Sequence, residues 1–177
     1  MILSNPQTAC QGKVQGALPP IKSKLKSCEN SLHVRINAAL ALSIPTHRSC
    51  YGDIDRFCLV WSSIVHALEV IDQVADVSEL KYKDTLRDQL CQTLTHLGGL
   101  IGQDDLSPLH KLMKDRTDML ESHLSRYRGA KLTTVDDTRG ALLSAASVHL
   151  QDLMNIKDIT AEDRNCAAQL VRMFAEP

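Results

Sequence analysis

Aromatic residues are scarce in this chain of 177: one tryptophan, three tyrosines and two phenylalanines, 3% of the whole. Strands favour aromatic and β-branched side chains, so the scarcity argues against a sandwich or barrel and leaves almost no platform for stacked bases. An excess of charge is missing too. Twenty Lys and Arg stand against 21 Asp and Glu, a net −1, which gives no electrostatic reason to bind nucleic acid or an anionic membrane. No run approaches the ~18 consecutive apolar residues of a membrane helix. Eight glycines and six prolines are fewer than average usage would supply. The opening MILSNPQTACQGK has neither the basic region nor the apolar core of an export signal. These absences predict an all-α, helix-rich domain in an intracellular setting, cytoplasmic or nuclear.

Chemistry-bearing motifs are missing as well. The six cysteines (Cys10, Cys28, Cys50, Cys58, Cys91, Cys166) are widely and irregularly spaced with no C-x-x-C pair, which reads as free thiols in a reducing compartment. His47, Cys50 and Cys58 are the nearest approach to a ligand cluster. They sustain an alternative reading, a helical-bundle enzyme or ligand carrier with a thiol or metal site. No G-x-S-x-G, G-x-x-x-x-G-K-[ST] or H-E-x-x-H sequence occurs. Gly98-Gly99-x-x-Gly102 closes a helix, so a C-cap is expected there and not a phosphate cradle. Asp104-Asp105 and Asp136-Asp137 precede helices, where negative charge complements the dipole. No catalytic residue, metal or cofactor is expected.

What is present is helical periodicity. After a frayed stretch over residues 1–9, a single unit over residues 10–177 divides into segments of similar length. HVRINAALALS (33–43) ends at Ile44-Pro45. Apolar residues at 54, 57, 61, 64, 65, 68 and 71 form a stripe that Asp53 or Gly52 caps. Leu80, Leu86, Leu90, Leu94, Leu97 and Ile101 form the next. Ser107-Pro108 is expected to open a helix that runs to Tyr127, with Gly129 as a left-handed stop. A further helix follows Asp136-Asp137, and Thr160 to Asp163 resembles a capping box before the last.

Two of these helices match each other. Val34-Arg35-x-x-Ala38-Ala39-x-Ala41-Leu42 lies over Leu86-Arg87-x-x-Leu90-Cys91-x-Thr93-Leu94 at an offset of 52 residues. Each presents a narrow core stripe flanked by small residues, as stacked helix pairs require. LPPIKSKLKSCENSLHVRINAALAL, with its proline, polar turn and V-R-x-x-A-A-x-A-L helix, resembles a HEAT repeat. VRINAALALSIP, CYGDIDRF, WSSIVHAL and ELKYKDTLRDQLCQTLTHL are similar to the C-terminal portion of HEAT repeat-containing, armadillo-like proteins. The resemblance covers about residues 20–100. It implies an α-solenoid, an alpha-alpha superhelix of about three stacked antiparallel helix pairs plus a terminal helix. It also implies further repeats upstream in a longer parent chain.

HEAT repeats often set an acid about six residues before the arginine, so that acid and base ladder from repeat to repeat. Glu29 fills that place before Arg35, whereas Lys81 stands there before Arg87, so a continuous ladder is not expected. The solenoid reading makes the chain a scaffold that binds other proteins through the concave side of its second helices. The residues expected on that side are Arg35, Ile36, Asn37 and Leu40 in one copy, and Arg87, Asp88, Gln92 and His96 in the other. For Ile36 and Leu40, packing on a preceding repeat is the favoured alternative to partner contact.

Overall fold

Asp53 and Thr160 each start a helix with their own side chains. Asp53 Oδ1 accepts from the Arg56 backbone N–H at 2.9 Å, and Thr160 Oγ1 accepts from Asp163 N–H at 3.0 Å. Both satisfy donors that the first helical turn leaves without partners. The computed structural model describes residues 20, 21, 25, 31–73, 80–130 and 138–175. Its described residues form seven α-helices: α1 (Leu32–Leu42), α2 (Ile54–Glu69), α3 (Leu80–Gly98), α4 (Leu106–Met113), α5 (Thr117–Gly129), α6 (Thr138–Met154) and α7 (Ala161–Phe174). Short 3₁₀ turns lie between some of them, and no strand occurs among the described residues.

The helices form two rows. Helix α3 lies between α1 and α6, while α2 packs against α4 and α5, and α7 against α4 and α5. The rows face one another through α2 on α3, α5 on α3 and α7 on α6. Phe57, Trp61, Ile64 and Leu68 from one row meet Leu86, Leu90, Leu94 and Leu97 from the other in a single core. Each such side chain contributes roughly 1.5–3 kcal/mol by leaving water.

Within the first row the helices run the same way. His33 stacks on Tyr82 with ring centroids 4.5 Å apart, Thr93 Oγ1 donates to Ala39 O at 3.0 Å, and His96 Nε2 meets Pro45 O at 2.7 Å. Positions rise together along α1 and α3, so the two are parallel. The same holds for α3 and α6, where Asp88 meets Arg139 at 3.7 Å and Ile101 O meets His149 Nε2 at 2.7 Å. Helices of the second row carry the chain back between them.

Several expectations change. The stripe over 107–127 is two helices, broken at 114–116. Thr117 Oγ1 takes the Met113 carbonyl at 3.1 Å and Arg116 N–H bonds the same carbonyl at 2.8 Å, which tightens the turn and redirects the chain. The first of them begins at Leu106, one residue before Ser107, so Pro108 still falls in the first turn, where no backbone N–H is needed. Gly129 does not stop α5 in a left-handed conformation. Gly52, with φ 84°, is the one described residue there. It serves the turn that follows the 3₁₀ segment Arg48–Tyr51. Asp136-Asp137, Glu29, Cys10, Cys28 and the side chain of Lys81 lie outside the described residues.

Candidate functional site

Arginines recur at one place in each helix of the first row. Arg35 and Arg87 begin the two matched stripes, and Arg139 stands a further 52 residues on. Thr138-Arg139-x-x-Leu142-Leu143-x-Ala145-Ala146 is a third copy of the stripe. Thr138 replaces the leading aliphatic and Ala146 the closing leucine, which hides the match from apolar patterning. The arginine spacing alone would have revealed it.

These arginines brace helices. Arg35 and Arg87 are only 3% and 4% exposed, so they belong to the packed interior and not to the open surface where a partner could reach them. Arg87 is paired with Asp84 and with Asp72 at 3.0 Å. Lys83 reaches the same Asp72 carboxylate at 3.2 Å, and hydrogen bonding from Lys83 holds the Asp72 carboxyl below its usual range. Arg139 bonds Tyr127 O at 2.7 Å, sits 4.2 Å over the Tyr127 ring and reaches Asp88. Acids therefore accompany Arg87 and Arg139, but from positions other than the one six residues upstream.

The remaining expected residues divide. Asn37 and Gln92 are exposed, and Ile36, Asp88 and His96 half-buried. Ile36 packs against the core, and the His96 ring is occupied by Pro45 O. Leu40 is 46% exposed. Ile44, just beyond α1, is 69% exposed, and its counterpart two periods on, Val148, is 52% exposed. Asn37, Leu40 and Ile44 on and just after α1, Gln92 on α3, and Ser144 and Val148 on α6 are thus exposed, and none carries charge. Burial pushes the Asp88 carboxyl up despite Arg139.

The described thiols do not assemble a centre. Cys50 is buried, Cys58 half-buried and His47 exposed, and no group of three or more His, Cys, Asp or Glu among the described residues could hold a metal ion. Desolvation pushes Cys91 and Cys166 up to about 12. It also raises Cys58, with Asp105 adding to the effect and Arg48 opposing it. Such thiols are poor nucleophiles at neutral pH. No described helix is long and apolar enough to cross a membrane.

The architecture defines an all-helical protein with two rows of helices. No family model matches the chain, and no solved structure matches it. It is similar to an uncharacterized protein of Dictyostelium discoideum, 31% identical over 116 residues. That match takes in 63% of this chain and 7% of the Dictyostelium protein, so the chain spans a small part of the relative's length.

Proposed function

We propose that this chain is a non-enzymatic HEAT-repeat scaffold or adaptor segment, similar to the C-terminal portion of HEAT repeat-containing protein 6. It binds other proteins, inside the cell, through the concave face formed by α1, α3 and α6. The observation that carries this reading is the parallel packing of the three arginine-bearing helices at one 52-residue period. Small and neutral side chains on their open side suit a protein ligand, and the even charge balance gives nucleic acid no purchase. In the binding role Asn37, Leu40, Gln92 and His96 form the contact surface, while Arg35 and Arg87 hold it in shape.

Photo-crosslinkable residues placed at Leu40 and Gln92 test this, with Glu121 on the other row as the control. The reading requires one protein to be captured from both Leu40 and Gln92 and not from Glu121, and Leu40→Glu to abolish its binding. Equal capture from all three positions would overturn it.

A further inference from the structure

The first row of helices ends at both sides on faces whose internal counterparts are already covered. Asp88 on α3 and Gly99 just beyond its end touch α6: Asp88 through Arg139, Gly99 with an ideal Cβ 3.7 Å from Ala146 Cα. One period later the same positions are Gly140 and Gln151. Both line a groove of about 500 Å3 that α6 shares with Phe174 and Ala175. Ser147, the counterpart of Thr95, lies between them in the same groove. Thr95 is satisfied, its hydroxyl donating to Cys91 O at 2.8 Å. Ser147 is not: it is only 9% exposed, and its Oγ has no hydrogen-bond partner. A buried hydroxyl without a partner costs roughly 1–3 kcal/mol, so the groove is short of a neighbour.

The opposite end carries a face of the complementary kind. On α3, Thr93 and His96 touch α1. One period earlier those positions are Ala41, half-buried, and Ile44, 69% exposed. Neither the groove residues nor this pair bears a charge, so nothing in them repels.

We infer that the groove of Gly140, Ser147 and Gln151 seats the α1 face of a second copy of this chain, around Ala41 and Ile44, repeating between molecules the packing of α1 on α3 and of α3 on α6. The contact joins two different surfaces, so it is head-to-tail and does not close on itself. The inference rests on the 52-residue period, not on the binding of a foreign partner.

Sedimentation of the purified protein at rising concentration, up to about 1 mM where weak association becomes measurable, tests it. The average mass of the wild type rises without reaching a fixed oligomer. Ser144→Arg blocks the groove from the exposed α6 surface, Ile44→Glu blocks the other end, and each variant alone stays monomeric with unchanged helical circular dichroism. Mixed one to one, the variants form a dimer and nothing larger, because one free groove meets one free α1 face. A wild type that stays monomeric throughout would overturn the inference. So would single variants that still associate, or a mixture that remains monomeric.

Discussion

Arg48 and Asp105, 57 positions apart, are joined by a two-pronged ion pair, Nε to Oδ2 and Nη2 to Oδ1, both 2.7 Å. Arg48 also donates to Gly52 O at 2.7 Å and lies 4.1 Å over the Phe57 ring. Asp105 Oδ2 further accepts from Gly102 N–H at 2.8 Å. The loop after α1 is thereby locked to the loop after α3. Asp105 is buried, so Asp105→Ala leaves a guanidinium without its anion. A loss of about 3 kcal/mol is expected, read from urea denaturation, with Arg48→Lys losing less but still measurably because the fork is gone. A neutral Asp105→Ala would show the pair to be incidental.

Gly98 is required by close approach. A Cβ there would stand 2.6 Å from Phe174 Cε2, and the Phe174 ring, fully buried, would have to shift to make room. Gly98→Ala is expected to cost about 1–3 kcal/mol. Phe174→Leu, which costs stability by itself, should take Gly98→Ala with less further loss; additive losses in that double-mutant cycle would contradict the clash.

The small residues beside the stripes set how closely the helices approach. Ala38→Leu should overpack at a cost of roughly 1–3 kcal/mol, and Leu94→Ala should leave a cavity costing about 2–5 kcal/mol. Thermal melts in which both changes are neutral would contradict the packing.

His123 gives the fold a pH dependence. Burial, then the positive charge of Arg87, holds its pKa below the ordinary 6.5, against the opposing pull of Asp72 and a hydrogen bond to the Leu68 backbone. The folded state thus favours neutral imidazole, and below 6.5 the unfolded chain takes up the proton more readily. Its contribution is present above pH 6.5 and is lost as pH falls through the depressed folded value. His123→Gln should flatten denaturation midpoints over that window; an unchanged slope would remove His123 as the cause.

Much of this was legible in the sequence. The stripe from 54 to 71 placed Phe57, Trp61 and Leu68 in the core, where they are fully buried, because a long stripe has one way to face inward. The Val34 and Leu86 segments packed against one another as their shared pattern required. The third copy at Arg139 is masked by Thr138 and Ala146, which stand where the pattern has an aliphatic and a leucine. The break at 114–116 was equally invisible, for it depends on Thr117 taking a carbonyl that a continuous helix would use itself. Side-chain clamps such as Arg48–Asp105, or His96 and His149 on the preceding loops, join residues some 50 positions apart. Local pattern carries no trace of them. Of the residues expected on the binding surface, Arg35 and Arg87 lie inside, their long stems placing the charge between helices.

The order of the three parallel helices is the point on which everything else depends, and distances between spin labels at Leu40, Gln92 and Ser144 measure it most directly. Neighbouring helices lie about 10 Å apart, so an open row predicts that the Leu40–Ser144 separation is close to twice each of the two shorter ones. Three similar separations would mean a closed bundle, and would contradict the repeating stack.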